Sequence, residues 1–253
     1  MCQWCEKFAD GHKRWFLNPV NYSARLYKMR KQEAESGASA SSATWFEKAS
    51  VWMQLGREYL EAMDRGDHEA VARMTKDANA GAARFHFGQV VTLEEAHQVL
   101  DLAYPIGLTS CTCRREGQGV SDQENFTCMS MGPGLYKWER WPNSFRGGLH
   151  FLSPDEAKDV VARIHKRGLV AFVYTLGTPF AGALCQCDYP DCLGIRTRLD
   201  LGVNSIFKGH YVAQVDAAAC TGCAKCIKRC QFRALSYIPS QNKAYIDMGQ
   251  CFG

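Results

Sequence analysis

Thirteen cysteines constrain this 253-residue chain more than any other feature of its sequence. Their number is odd, which does not suit a closed set of disulfides. The segment Met1–Lys7 also lacks the apolar core of a signal peptide. Outside an oxidising compartment, closely spaced cysteines are usually metal ligands. We therefore expect a cytoplasmic protein whose cysteines bind metal.

The densest group of cysteines follows the spacing C-x2-C-x2-C-x3-C near the C-terminal end. It consists of Cys220, Cys223, Cys226 and Cys230. Two-residue gaps make a tight loop that brings several thiolates to neighbouring iron atoms and points its backbone N–H groups at the sulfur. Gly222 permits the positive φ that such a loop needs, and Lys225 and Lys228 help offset the negative charge. The pattern predicts a 4Fe–4S cluster.

The segment from Val212 to Gly253 resembles the two-cluster bacterial ferredoxin module. The resemblance implies that the first three cysteines of the run bind one cluster and that Cys230 binds a second. Gln231 departs from the family, which usually has proline there. Cys251 looks like the first cysteine of a second run, so we expect the sequence to be a fragment and the module to hold one or two clusters. Structural zinc is the alternative, but zinc favours two separated cysteine pairs, often with histidine.

A second set of six cysteines lies in the middle of the chain, in two separated stretches. They are Cys111, Cys113, Cys128, Cys185, Cys187 and Cys192. Any four of them could close a metal site, and Arg114 and Arg115 would lower the thiol pKa values. The favoured ligands are the two Cys-x-Cys pairs, Cys111 with Cys113 and Cys185 with Cys187. Zinc, inert buried thiols and redox-active thiols are the alternatives.

The middle set, the helix that separates its two stretches and the C-terminal run together resemble Cys-rich 4Fe–4S proteins of anaerobes. The likeness covers Val90 to Gly253 and implies one further cluster in the middle of the chain. Iron–thiolate clusters survive best where oxygen is scarce, so we expect an anaerobic or microaerobic cell. Cys2 and Cys5 form another Cys-x-x-Cys pair. A lone pair close to a frayed terminus is a weak indication of ligation.

The pattern of residues divides the chain into a helical region over 1–84, a mixed Cys-rich domain over 85–210 and a ferredoxin-like module over 211–253. The predicted fold class is therefore α+β. Two capping boxes mark helix starts at Thr92 and Ser153, each with a glutamate three residues later.

Further elements are predicted from periodicity and from glycine or proline stops. We expect helices over 45–63 and 67–80, the second ending at Gly81. The stretches 169–176 and 211–216 are predicted as strands, and 235–247 as a hairpin. The small residues of 35–43 resemble a flexible linker.

These features predict a one-electron carrier that serves as a module or subunit of an oxidoreductase system and works with a redox partner protein. A net charge of +4 is too small to indicate nucleic-acid binding, and no apolar run approaches the ~20 residues of a membrane helix. No acid–base constellation is visible, which favours an electron-transfer protein over a stand-alone catalyst. The alternatives are a redox enzyme with a substrate-binding cluster in the middle domain, and a zinc-binding or redox-sensing regulator.

Overall fold

The computed structural model describes residues 8–9, 14–22, 56–84, 87–118, 125–132, 135, 148–175 and 181–253. Helices and a mixed sheet occur together, so the predicted α+β class is confirmed. The predicted linker over 35–43 and the pair Cys2 and Cys5 lie outside the described residues, as does most of the predicted helix over 45–63. Residues 56–64 of that helix are described and are helical.

Seven strands form one sheet in the spatial order β4-β2-β3-β6-β5-β1-β7. Its strands are β1 (Gly88–Val90), β2 (Ile106–Thr109), β3 (Cys128–Met131), β4 (Leu149–Leu152), β5 (Val170–Thr175), β6 (Ala181–Cys187) and β7 (Ile206–Phe207). Neighbouring strands pair antiparallel except β1 and β7, which run parallel. The longest strands, β5 and β6, lie near the middle of the sheet. The predicted strand over 169–176 corresponds to β5.

Besides the helical residues 56–64, the helices are α1 (His68–Arg84), α2 (Leu93–Leu102), α3 (Thr112–Gln118), α4 (Pro154–Lys166) and α5 (Leu193–Leu199). Both predicted capping boxes are confirmed, at Thr92 for α2 and at Ser153 for α4. The predicted stop at Gly81 is wrong, because α1 continues to Arg84. Gly81 is exposed, and a mid-helix glycine costs only about 1 kcal/mol relative to alanine. Among the described residues, no helix is both long and apolar enough to cross a bilayer.

The two faces of the sheet bury different partners because successive side chains of a strand point to opposite sides. One face carries Met129, Val173 and Leu184 and packs against helices α2 and α4. We call it the helix face. It is filled by fully buried apolar side chains such as Val99 and Val161, and burial of this kind stabilises a fold by about 25 cal/mol per Å² of apolar surface.

The opposite face, which we call the sulfur face, carries cysteines and aromatic side chains. Cys128 lies directly across from Cys185, and Cys185 directly across from Phe172, so all three point to the same side. Cys187 follows two residues after Cys185 and therefore shares this side. The sheet register, rather than any local motif, aligns these thiols.

The C-terminal segment packs on the sulfur face through Phe232 and Phe252. Its strands β8 (Leu235–Ile238) and β9 (Lys243–Ile246) form the predicted hairpin, which turns through a left-handed Asn242. The predicted strand over 211–216 is wrong: these residues form no helix or strand and pair with no described strand. Their apolar side chains are not sorted to one side, since the neighbours Tyr211 and Val212 are both exposed.

Candidate metal centres

Six cysteines far apart in the sequence converge at one place on the sulfur face. Cys111 follows β2, and Cys113 lies in the first turn of α3. Cys128 begins β3, while Cys185 and Cys187 belong to the end of β6. The N-cap of α5 supplies the sixth, Cys192. Four separate segments, spanning positions 111 to 192, therefore deliver the thiols to a shared site.

The six thiols form a closed ring in which each side chain lies within hydrogen-bonding reach of two others. Around this ring, which we call the thiol ring, the order is Cys111, Cys113, Cys192, Cys187, Cys185, Cys128 and back to Cys111. None of its members is in a disulfide. All six are buried or half-buried, so the ring is shielded from bulk water.

Contacts around the ring shift the pKa values of the six thiols in alternating directions. Hydrogen bonding with neighbouring thiols lowers the pKa values of Cys111, Cys185 and Cys192, and brings that of Cys185 to about 6. The same hydrogen bonding, together with burial, raises the pKa values of Cys113, Cys128 and Cys187. The ring can therefore carry several thiolates, the form in which cysteine binds metal.

A buried guanidinium joins two of the segments that carry ring cysteines. Arg114 follows Cys113 in sequence and has a side chain that is only 5% exposed. It is ion-paired with Asp188 and, at 3.2 Å, with Asp191, and its Nη1 donates to Thr127 Oγ1 at 3.0 Å. Its backbone N–H and its charge also lower the Cys111 pKa, after the larger effect of the two thiols. The prediction that Arg114 lowers a thiol pKa is thus supported for Cys111. Its ion pairs with Asp188 and Asp191 give it a structural role as well.

The C-terminal run has a different geometry, in which the backbone rather than other thiols surrounds each sulfur. The pKa of Cys220 is lowered because the backbone N–H groups of Ala244 and Gly222 donate to it. The pKa of Cys223 is lowered by the N–H of Lys225 and then by the Thr221 hydroxyl. These hydrogen bonds therefore favour the thiolate form of both cysteines.

Gly222 makes this backbone arrangement possible. Its φ is +70°, and an added Cβ would lie 2.1 Å from Asn242 Oδ1 and 2.4 Å from Asn242 O. Only glycine fits such a position without strain. The β8–β9 turn therefore presses directly on the loop that carries the first two cysteines, and Lys243 Nζ donates to Cys220 O at 2.5 Å.

Two further cysteines of the C-terminal segment also accept backbone hydrogen bonds. Ala234 N donates to Cys230 Sγ at 3.3 Å, and Gly253 N donates to Cys251 Sγ at 3.4 Å. Cys226 is half-buried at the start of a short 3-10 turn, Ile227–Arg229. The predicted assignment of these cysteines to one or two clusters stays a prediction.

No protein-family model, curated protein or solved structure matches the chain.

The chemistry of the donors is therefore the basis for interpreting the sites. Within the described ranges, no group of three or more His, Cys, Asp or Glu side chains could hold a single metal ion. In the thiol ring, each cysteine side chain instead contacts its two neighbours around a closed loop. Iron–sulfur clusters take one thiolate at each of several iron atoms, and N–H···S bonds tune them. An all-sulfur, buried donor set and a backbone cradle that a Cβ would fill both fit such clusters.

The structure brings all six predicted cysteines together. The two Cys-x-Cys pairs were the favoured ligands among them, but Cys128 and Cys192 each contact two ring members, as the other four do. Geometry gives no reason to separate four of the six. This arrangement could not be predicted from the sequence, because it depends on the β3–β6 register and on where α5 begins.

Other residues of the site carry little sequence signal. Asp188 and Asp191 pair with Arg114 across 74 and 77 positions of the chain. Tyr174 is buried against the ring, and its pKa is raised by burial and then by the charge of Cys192 and Cys187. Acidic residues flanking Cys187 and Cys192 offered a weak hint of the ion pairs.

Proposed function

We propose that the chain binds iron–sulfur clusters at the thiol ring and at the C-terminal run and uses them to carry single electrons. The observation that carries this proposal is the thiol ring. Six cysteines from four segments meet in a buried place with no disulfide among them. The convergence of six thiols from four segments is more than packing requires, since other small apolar residues could fill the same space.

The C-terminal run supports the proposal independently. Its spacing is the bacterial ferredoxin pattern, and Cys220 and Cys223 already accept the N–H bonds that stabilise cluster sulfur. Lys225 and Lys243 lower the pKa values of these thiols further, after the hydrogen bonds. Positive charge beside thiolates offsets part of the negative charge that an all-cysteine cluster carries.

Electron transfer is favoured over substrate chemistry by the nature of the groups at both sites. The ring carries thiols, one tyrosine whose raised pKa keeps it neutral, and an arginine whose charge is satisfied by two aspartates. Iron–sulfur clusters, when bound, supply one-electron oxidation and reduction. The protein residues would hold the clusters, exclude water and set their potentials.

The direct test is anaerobic reconstitution of the full chain with ferrous salt and sulfide, followed by iron and sulfide analysis. Two variants separate the sites. One replaces Cys111 and Cys185 by serine and disrupts the ring; the other replaces Cys220, Cys223, Cys226 and Cys230 by serine. We expect each variant to lose part of the iron and sulfide, and the two losses together to account for the wild-type content.

The reconstituted protein should be brown, with a visible absorption that dithionite bleaches and a paramagnetic signal in the reduced state. A colourless protein, or one that binds zinc and no sulfide, would overturn the proposal and favour the zinc-binding or redox-sensing alternative. A change of the reduced signal on adding small-molecule substrates would instead favour the enzymatic alternative.

A further inference from the structure

The C-terminal run does not stand apart from the thiol ring. Cys230, the last cysteine of the run, packs in the same apolar cluster as Cys185, Cys187 and Cys192 of the ring. The two sulfur sites therefore share a hydrophobic boundary. Contact of this kind between two candidate redox sites is not required by either site alone.

Aromatic side chains fill the space at this boundary. Phe232 and Phe252 stack with ring centroids 4.0 Å apart and an interplanar angle of 8°. Phe232 also meets Phe172 of the sheet, with centroids 6.2 Å apart. Phe172 lies directly across from the ring member Cys185. Packed side chains therefore form a continuous path from the run to the ring, with Phe232 only two residues from Cys230.

Gln231 fastens the run to the sheet domain beside this path. Its Oε1 accepts a hydrogen bond from Tyr189 N at 2.8 Å, and its Nε2 donates to Gly168 O at 3.1 Å. Tyr189 lies between the ring cysteines Cys187 and Cys192 in sequence. One side chain, adjacent to Cys230, thus holds both the loop of the ring and the end of α4.

Arg229 reinforces this attachment from the other side of Cys230. Its guanidinium donates to the carbonyl oxygens of His165 at 2.7 Å and Lys166 at 3.3 Å, at the C-terminal end of α4. A cation suits that position because the last carbonyls of a helix carry partial negative charge. The two residues flanking Cys230 therefore both bind the sheet domain.

We infer that the run and the ring form one intramolecular electron path and that Gln231 and Arg229 are its positioning residues. The inference rests on the proposed function. In such a step one electron would pass between the C-terminal site and the ring site, so that one site is oxidised and the other is reduced. No bond forms or breaks and no proton moves. The initial electron comes from a one-electron reductant outside the chain, either a partner protein or, in the test, dithionite.

Proline at position 231, as in the ferredoxin pattern, could make neither of the side-chain hydrogen bonds of Gln231. The departure from that pattern is thus explained by docking. A free-standing module has no need of it, whereas a module that exchanges electrons with the sheet domain needs a fixed distance and orientation.

The test uses the reconstituted full chain and measures magnetic interaction between the two sites after dithionite reduction. The perturbed protein combines Arg229→Ala with Gln231→Ala. The matched control is Gln214→Ala, which removes an exposed glutamine from the same segment. We expect wild type and control to show an electron paramagnetic resonance signal broadened by coupling. We expect the double variant to lose that broadening while keeping its iron and sulfide. Its spectrum should equal the sum of the two single-site serine variants.

Gln231→Glu keeps the acceptor for Tyr189 N but loses the donor to Gly168 O, so it should retain part of the broadening. The inference is overturned if the double variant shows unchanged coupling, or if the wild-type spectrum already equals the sum of two isolated sites. Either result leaves the proposed function standing, because iron and sulfide are still bound. A chain that takes up no iron and sulfide overturns the proposed function, and this inference with it.

Discussion

The thiol ring and the C-terminal run are both built from cysteine thiols, but their geometry is determined in opposite ways. The run takes four cysteines from eleven consecutive positions, and its geometry follows from local spacing, one glycine and neighbouring N–H groups. The ring takes six cysteines from four segments, and its geometry follows from strand register and helix placement. A local site can form with little tertiary support, whereas the ring exists only when the sheet is assembled.

This difference predicts where each site is vulnerable, beginning with the largest effect. Arg114→Gln removes the buried charge that joins α3 to the loop carrying Asp188 and Asp191. Breaking a largely buried ion pair of this kind should cost about 3 kcal/mol, because it leaves two half-buried carboxylates without their cationic partner. Chemical denaturation followed by circular dichroism measures the loss.

Arg196→Gln is the matched control. Arg196 pairs with Asp200 at 3.0 Å, but its side chain is 51% exposed, so the loss should be about 0.5 kcal/mol or less. We also expect Arg114→Gln to reduce the iron held by the ring and to leave that of the run unchanged. Equal effects of the two substitutions on stability would contradict the role assigned to Arg114.

The second prediction concerns the run. Gly222→Ala combines a positive φ with a clash against the Asn242 backbone and side chain, and we expect it to cost about 2 kcal/mol, confined to the C-terminal segment. Gly66→Ala is the control, because Gly66 has a similar φ of +68° with nothing within 4 Å. It should cost only about 1 kcal/mol.

Hydrogen exchange separates the two substitutions by region. Gly222→Ala should increase exchange in β8 and β9 and lower iron retention by the run, while the amides of β5 and β6 stay protected. Faster exchange across the seven-stranded sheet would show that the run is needed to assemble the ring and that the two sites do not form independently.

The sequence was sufficient to predict the elements that depend only on neighbouring residues. The capping boxes at Thr92 and Ser153 and the hairpin 235–247 are dictated by neighbouring residues, and the structure has all three. It was insufficient for the strand expected over 211–216. Alternation of side chains indicates a strand only if a partner edge is available, and the described sheet offers none to this segment.

The same division holds for the candidate sites. The spacing of the run predicts its four cysteines as cluster ligands, but it gives no sign of the contacts of Gln231. Gln231 is hydrogen-bonded to Gly168 and Tyr189, which lie 63 and 42 positions away. Likewise, the equality of Cys128 and Cys192 with the other ring members depends on contacts made only after folding.

The third prediction compares how fast the two sites lose iron. Cys223 is exposed, whereas Cys111, Cys187 and Cys192 of the ring are buried. If the ring binds iron as proposed, removing that iron would require local opening of the sheet face, and this opening costs free energy that release from the run would not need. We expect an iron chelator to strip the run at least about tenfold faster than the ring, equivalent to about 1.4 kcal/mol of opening free energy.

The measurement follows chelation in the two single-site serine variants under anaerobic conditions, with low denaturant added in a parallel series. Denaturant should accelerate release from the ring more than release from the run, because more surface is exposed in the opening. Release from both sites at the same rate would mean that the ring is as accessible as the run, and the contrast between them would fail.

The smallest effect is expected on the helix face, away from both sulfur sites. Glu156 completes the cap of α4, and its pKa is lowered because the Ser153 backbone N–H and then its hydroxyl donate to the carboxylate. A carboxylate with a lowered folded-state pKa stabilises the fold above its unfolded pKa of about 4.3, and this stabilisation is lost as the pH falls through the folded value. Glu156→Ala should therefore lower Tm slightly at pH 7, with a difference that shrinks below about pH 4.3.

Iron retention by both sites should be the same in this variant as in wild type at pH 7. The far end of α4 holds Arg229, but the cap at Ser153 lies a full helix away from that contact. If Glu156→Ala released iron from the run, then the helix would transmit changes at its start to the docking of Cys230. The two sites would then depend on the same scaffold, and the geometry of the run would not be determined by its local sequence alone.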